Sequence, residues 1–479
     1  MNSNLWRRLF TDTGNTEGGS SPEFQTDIPT QGIYHFEYAN GGERSRLHLR
    51  IDSDLTSDDG HGILLVNANR VVHLNSTASL MAYLYLSGKS QDEIIGILRR
   101  AYQVSKAQAS IDYAQFSGNF EQLIRPDGAC PVCELDINIQ APFSTTPSAP
   151  YRMDLAVTYR CNNDCFHCYN ARERTYPEIS TWQWFQIIDR LWNIGIPHVV
   201  FTGGEPTLRS DLPELIAYAE SKGQITGLNT NARRLSDRRY LTGLIDAGLD
   251  HVQVTVESHN PGVHDHMVHA KGAWNQTIAG LRNALDTPLY VMTNTTMLQQ
   301  NSPYIAETLD FLAGEGVPTI GLNALIYSGH GLDAGTGLPE KDLPPLLELA
   351  RQKTDLYGQR LIWYTPTQYC HFDPMQLELG VKGCTAALYN MCVEPDGSVI
   401  PCQSYYTPIG NMLSDPWEAI WHHSLSESLR QRAYIMDKCK DCFLLAECGG
   451  GCPLAIEAQA EGLISLDSIT IPKPNPPAF

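Results

Sequence analysis

Three cysteines, Cys161, Cys165 and Cys168, fall within the stretch YRCNNDCFHCYN at residues 159–170. A disulfide uses two cysteines and a closed tetrahedral zinc site needs four ligands. Three thiolates on one short loop suit a cubane [4Fe–4S] cluster, each holding one iron. The fourth iron then stays open to a small ligand that binds through an amine and a carboxylate and accepts one electron. The competing chemistry is a zinc site completed by His167, but that residue sits between two of the ligands, where simultaneous ligation is sterically poor.

The remaining cysteines are Cys130, Cys133, Cys370, Cys384, Cys392, Cys402, Cys439, Cys442, Cys448 and Cys452, thirteen in all. An odd number, clustered at short spacings in a chain without an apolar secretion signal, reads as metal ligation in a reducing compartment, and so as a cytoplasmic protein. The net charge of −19 argues against sequence-independent nucleic-acid binding and suits a basic peptide partner. No run of eighteen apolar residues is present, so nothing is expected to span a membrane. Hydrophobic residues at 42% and charged residues at 18% describe a globular chain, and 479 residues suffice for two or three domains.

The elements that position these cysteines follow from periodicity. A polar lead-in covers residues 1–32. Within 33–127, residues 62–75 form a strand pair with a turn at 67–69. A helix over 76–88 ends in a stopping glycine, and a second opens on the Ser90–Glu93 capping box with Ile94, Ile95 and Leu98 on its apolar face. A third spans 110–124. Residues 128–150 are a Pro/Ser/Thr-rich linker. From 151 to 364, six short β runs (153–158, 198–202, 223–229, 251–257, 289–296 and 319–326) alternate with helical segments such as 181–195 and 239–249. This predicts an α/β fold with a parallel sheet, open or curled toward a barrel. Ligands of such sheets sit at the carboxyl ends of the strands, where the three-cysteine loop lies. Residues 365–465 are cysteine-dense and loop-rich, as in a domain organised around metal, and 466–479 form a Pro-rich tail.

Cys161-x3-Cys165-x2-Cys168 after the first strand resembles the signature of the radical S-adenosylmethionine (radical SAM) superfamily. The resemblance implies a partial (βα)6 TIM-like barrel, S-adenosyl-L-methionine as cofactor and a [4Fe–4S] cluster on these three cysteines. FTGGEP at 201–206 is similar to the family's GGEP motif, which implies that Gly203, Gly204, Glu205 and Pro206 receive the SAM amino group. By the same resemblance Asn229 and Asn231 end the third strand against SAM. Glu257 and Ser258 do so on the fourth, and Asn294 with Thr295 on the fifth. His264, His266 and His269 resemble the family's variable segment and are read as a solvated histidine face, not a metal site.

Cys384-x12-Gly397-x4-Cys402 and Cys439-x2-Cys442-x5-Cys448-x3-Cys452 resemble the SPASM extension. It implies two auxiliary [4Fe–4S] clusters, one on Cys384, Cys392, Cys402 and Cys452, the other on Cys439, Cys442 and Cys448. The extension's usual last cysteine lies further downstream, and no cysteine follows Cys452. The fourth ligand of the second cluster is therefore open between a carboxylate such as Asp467, one of the unassigned Cys130, Cys133 and Cys370, or no ligand.

Residues 71–105 resemble the small peptide-chaperone domain of pyrroloquinoline quinone biosynthesis, a winged-helix-like recognition fold. This implies that a precursor's leader peptide adds as a strand to its β edge and packs on the third helix. Together the resemblances imply a radical SAM enzyme that matures a ribosomally made peptide. A 5′-deoxyadenosyl radical takes a hydrogen from a peptide carbon and an oxidative cross-link follows. The electron donor is of the flavodoxin or ferredoxin kind, with no nucleic-acid or membrane partner. The alternatives are a radical SAM oxidase acting on a small molecule, tetrapyrrole or sulfatase, and a non-catalytic iron–sulfur peptide adaptor. Tyr327, His330 and Tyr364 are expected near the substrate without an assigned role, and no catalytic acid or base is nominated.

Overall fold

A computed structural model describes residues 28–40, 43–51, 54–56, 60–66, 70–124, 147–171 and 174–460. The turn at 67–69, Cys130, Cys133, Asp467, most of the lead-in and linker, and the tail lie outside the described residues. The chain divides into two compact units, Met1–Ala141 and Pro142–Phe479.

The first unit holds four antiparallel strands where the sequence suggested two. Their order is β1 (Gly32–Asn40), β2 (Glu43–Ile51), β3 (His61–Val66) and β4 (Arg70–Asn75). The first hairpin carries a legible signal: apolar and polar residues alternate through YHFEYAN and SRLHLRI, joined by a Gly-Gly pair. Three helices follow. α1 (Ser76–Leu86) is capped by Asn75, whose side chain accepts the Ala78 N–H at 2.8 Å, so the cap is one residue earlier than Ser76. α2 (Gln91–Tyr102) opens on the expected box, with Glu93 accepting the Ser90 N–H at 2.8 Å. α3 (Lys106–Leu123) begins before residue 110 because Ser105 caps it. Leu47, Leu49, Leu64, Leu80, Ile94 and Phe120 form the core.

His35 and His48 face each other across β1 and β2, their Nδ1 atoms 2.7 Å apart, so one ring donates and the other accepts. Burial holds His48 down to about 3 and depresses His35 as well. Both are neutral in the folded unit, whereas in the unfolded chain they bind protons below their ordinary value of 6.5. The contribution to stability is fully present above pH 6.5 and is lost as pH falls toward the folded values. The urea midpoint of a fragment spanning 28–124 is accordingly expected to drop between pH 7 and pH 5, and less so in His48→Asn; equal pH slopes for the two proteins would contradict this.

The second unit is built on one sheet of ordered strands β11-β10-β9-β8-β7-β6-β5-β12-β13-β14. The strands are β5 (Arg152–Thr158), β6 (His198–Gly203), β7 (Ile225–Thr230), β8 (His251–Thr255), β9 (Tyr290–Thr296), β10 (Thr319–Asn323) and β11 (Arg360–Trp363). These run parallel, six from the regular alternation and a seventh, β11, beyond it. Strands β5 and β11 do not pair, so the barrel is partial. The cysteine-rich segment does not stand apart. Its β12 (Asn390–Val393) pairs parallel to β5, and β13 (Ser398–Ile400) and β14 (Gly410–Asn411) extend the same sheet.

The intervening helices form because apolar residues fall on one face between clear stops. α4 (Thr181–Ile194) starts on a Ser180–Gln183 capping box and ends at Gly195 with φ +96°. It buries Trp184, Ile187, Ile188 and Leu191, each worth about 1.5–3 kcal/mol on burial. Strands β8 and β9 alternate. Val252, Val254 and Val291 join the core, while Gln253, Thr255, Met292 and Asn294 on the other face are half-buried. That period of two leaves a polar inner surface. Among the described residues no helix is long and apolar enough to cross a membrane.

Candidate functional site

The three-cysteine loop follows β5 at the carboxyl end of the sheet. Cys161 lies at the exposed mouth, and Cys165 and Cys168 are partly buried. Burial pushes the Cys161 thiol up to about 11 and raises Cys165 and Cys168 too. Each of Cys161 and Cys165 also feels the Cys168 thiol, as neighbours on one short loop do. A cation bound among them would displace the thiol protons, because metal charge inverts the cost of burying a thiolate.

The loop is clasped from four sides. Its own backbone turns on Cys168 N–H to Cys165 O at 3.1 Å, and the Asn163 N–H reaches Cys161 Sγ at 3.4 Å. Phe166 is wedged against Met267, Leu298 and Leu325. After β10, the His330 N–H donates to Cys168 O at 3.0 Å and the His330 ring meets Cys165 O. Arg233 binds Asn162 O and, at 2.7 Å, Asn163 Oδ1.

Among the described residues no three His, Cys, Asp or Glu side chains converge on a single-ion position. A cubane is wider, since each thiolate holds its own iron, so the lack of a single-ion position does not bear on it. The zinc alternative finds no such group among the described residues, and His167 is instead buried with Nε2 3.0 Å from Glu257 Oε1.

The GGEP turn explains its glycines by contact. Gly203 has φ +133°, and a Cβ there would lie 2.0 Å from Thr158 O; one on Gly204 would lie 2.5 Å from Arg160 O. The turn hydrogen-bonds the strand leading into the cysteine loop through Gly204 N–H to Thr158 O at 2.8 Å and Glu205 N–H to Arg160 O at 2.9 Å. Glu205 is fully buried. Its carboxylate accepts from Thr207 Oγ1 at 2.6 Å, Thr230 Oγ1 at 2.7 Å and Asn231 N–H at 2.8 Å. It thus locks the turn to the end of β7. Pro206 opens the short helical turn Pro206–Leu208. Asn231 in turn donates to Asn162 Oδ1 at 2.6 Å, inside the cysteine loop.

Glu257 is buried, and its Oε2 accepts the Thr296 N–H at 3.0 Å. Its own N–H donates to His264 Nδ1 at 3.2 Å. His264 is therefore a buried structural ring whose pKa burial lowers, which corrects the expectation of a solvated face; His266 and His269 are exposed. Ser258 Oγ accepts the Asn260 N–H at 3.1 Å and so organises the following loop. Asn229 and Asn294 are half-buried near the strand ends. Two buried acceptors, Asn170 Oδ1 and Asn294 Oδ1, have no protein hydrogen-bond partner. Buried polar atoms need partners, and these fit a ligand bearing ammonium and hydroxyl donors, as SAM does. The pairs His167–Glu257 and Arg233–Asn162 carry no local motif, which is why sequence reasoning passed over them or gave them other roles.

The cysteine-rich segment brings a second group together. Burial raises Cys384 and pushes Cys402 up to about 12, and the Cys452 thiol adds to both. Cys392 is buried on β12, raised by burial, by Asp154 and Glu394, and by Cys402. An aromatic layer joins this group to the first loop. Tyr159 and Tyr176 donate to Glu394 at 2.8 and 3.1 Å, and the Arg174 guanidinium sits 3.1 Å over the Tyr159 ring. Ser328 donates to Ser404 O at 2.8 Å across the same layer. Cys439, Cys442 and Cys448 lie on a separate stretch, where the Cys442 N–H donates to Cys439 O at 3.1 Å.

Residues 155–312 match the family model described as the Radical SAM superfamily, and residues 384–443 match that of the SPASM iron–sulfur cluster-binding domain. The chain is 30% identical to Fe-coproporphyrin III synthase of Methanosarcina barkeri, over 63% of this chain and 83% of that protein. It is 28% identical to PqqA peptide cyclase of Bradyrhizobium diazoefficiens, over 65% of this chain and 84% of that protein. Its fold is similar to that of Streptococcus suis SuiB bound to precursor peptide SuiA, with a TM-score of 0.62 at 16% identity, covering 82% of this chain and 92% of that one. That coverage exceeds what residues 142–479 alone can supply, so the shared fold reaches into the first unit.

Proposed function

The chain belongs to the radical SAM superfamily, and on that premise we propose that it modifies a ribosomally made precursor peptide, gripping the leader with its first unit and forming an oxidative cross-link. The observation that carries this reading is the first unit itself, a separately cored sheet whose end strands pair on one side only among the described residues, joined in one chain to a radical SAM site. The likenesses to a peptide cyclase and to a structure bound to its precursor peptide support it. We take residues 33–127 as the recognition domain, 151–364 as the barrel and 365–465 as the auxiliary-cluster domain.

Cys161, Cys165 and Cys168 would hold an iron–sulfur cluster, which would supply the one-electron reduction of SAM. The chain's own residues do the positioning. Gly203 and Gly204 let the backbone close on the SAM amino group, and Asn229, Asn231 and Asn294 offer polar contacts at neighbouring strand ends. Glu257 holds His167 and so fixes the loop between two ligands. The polar inner face of β8 and β9 surrounds the substrate and keeps one C–H bond near the radical. Cys384, Cys392, Cys402 and Cys452 hold one auxiliary cluster, and Cys439, Cys442 and Cys448 hold the second. A flavodoxin or ferredoxin supplies reducing electrons in the cytoplasm.

The 30% identity to Fe-coproporphyrin III synthase favours a second reading, chemistry on a tetrapyrrole. One experiment separates the two. Anaerobically reconstituted protein is given SAM, a strong reductant and either the peptide of the small open reading frame encoded nearest its gene or an iron tetrapyrrole from which Fe-coproporphyrin III would be made. A loss of two hydrogens from the peptide, with 5′-deoxyadenosine formed, is expected. Conversion of that tetrapyrrole to Fe-coproporphyrin III with an unchanged peptide would overturn the peptide reading.

A further inference from the structure

The structure assigns Cys370 to the stretch that carries Cys439, Cys442 and Cys448, and we propose that it is the fourth ligand of the second auxiliary cluster, a place that no cysteine in residues 453–479 fills. The inference rests on the reading that the C-terminal domain holds two clusters.

The turn carrying Cys370 is laid directly along the C-x5-C-x3-C stretch. The Tyr369 N–H, next to Cys370, donates to Cys448 Sγ at 3.3 Å, and that sulfur donates to Thr367 O at 3.6 Å. A Cβ on Gly451 would lie 2.8 Å from Gln368 Cγ and 3.3 Å from Gln368 N, so a glycine there admits the turn. The turn is anchored at both ends. Gln368 Nε2 donates to Gln459 Oε1 at 2.9 Å, Tyr369 Oη accepts the Lys382 N–H at 3.0 Å, and His371 Nδ1 meets the Glu340 carboxylate. The contact of the Tyr369 N–H with Cys448 Sγ thus brings the backbone of Cys370, one residue along, to the Cys439–Cys452 stretch.

Chemistry gives the assignment a consequence. Three thiolates leave one iron open to a substrate thiolate or amide, whereas four saturate the cluster. With Cys370 in place, the second cluster has no vacant iron and does not hold the substrate.

The test uses the full chain carrying Cys161→Ala, Cys165→Ala and Cys168→Ala, so that only auxiliary clusters load. Iron and sulfide are counted, and Mössbauer and EPR spectra are taken before and after mild ferricyanide oxidation. This background is expected to hold two clusters' worth of iron that resist oxidation. Adding Cys370→Ala should make one cluster lose an iron and give a [3Fe–4S] EPR signal. Cys370→Ser, which keeps the side-chain size, should retain that iron with a shifted midpoint potential. Oxidation products and potentials unchanged in both variants would overturn the assignment while leaving two clusters in place. A background holding a single cluster's iron would overturn the two-cluster reading and this assignment with it.

Discussion

Cys161→Ala, Cys165→Ala and Cys168→Ala are each expected to bring 5′-deoxyadenosine formation down to the level of SAM and reductant alone. Removing a residue that merely orients a metal ligand typically costs ~10–100-fold. Loss of one of three ligands on a single loop should exceed that, because the remaining two cannot hold a cubane. The surrounding contacts grade the expectation. His167→Ala and Glu257→Gln remove a buried 3.0 Å contact that fixes the loop without supplying a ligand, so each should lower SAM cleavage by about 10–100-fold. Cys384→Ala lies in the other domain and should leave SAM cleavage measurable while peptide product disappears. The readout is 5′-deoxyadenosine by mass spectrometry against iron content. Full cleavage by any of the three loop variants, with iron still bound, would exclude the loop as the site of the catalytic cluster.

The order of legibility here follows the range of the interactions. The capping box at Ser90, the strand runs of the barrel and the GGEP turn were readable because each is set by residues a few positions apart. The cap of α1 moved one residue, to Asn75, because both Asn and Ser are good caps and only the backbone decides. The β1–β2 hairpin was passed over although its alternation was present, and β11 was missed because a strand of four residues carries little period. Glu205 was nominated for SAM, and its hydrogen bonds with Thr207, Thr230 and Asn231 add an organising role that no local pattern states. His264 looked like part of an exposed cluster because three histidines fall close in sequence; the helical spacing sends His264 inward and His266 out. The union of β12 with β5 pairs strands more than two hundred residues apart, and such pairings leave no trace in either segment alone.

The last expectation concerns the first unit. Deleting residues 33–127 should leave SAM cleavage within a factor of about two to three, since the unit has its own core and the cysteine loop is clasped by elements of the second unit. Peptide modification at micromolar peptide should vanish. A leader held on the same chain presents its core segment at an effective concentration on the order of millimolar, so raising free peptide to that range should restore product in the deletion variant. The grip itself is expected on β4, an end strand that among the described residues pairs with β3 alone. Successive N–H groups of a strand point to opposite sides, so of Val72 and His73 one directs its N–H toward the outer edge. Proline there removes a donor that an added strand needs. One of Val72→Pro and His73→Pro should therefore weaken leader binding by about tenfold with the fold intact, as measured by fluorescence anisotropy of a labelled leader and by far-UV circular dichroism. A leaderless peptide should behave alike with wild-type and deleted protein, because both lack the same interaction. Modification of full-length peptide at undiminished rate by the deletion variant would make the unit a cap and turn attention to the tetrapyrrole.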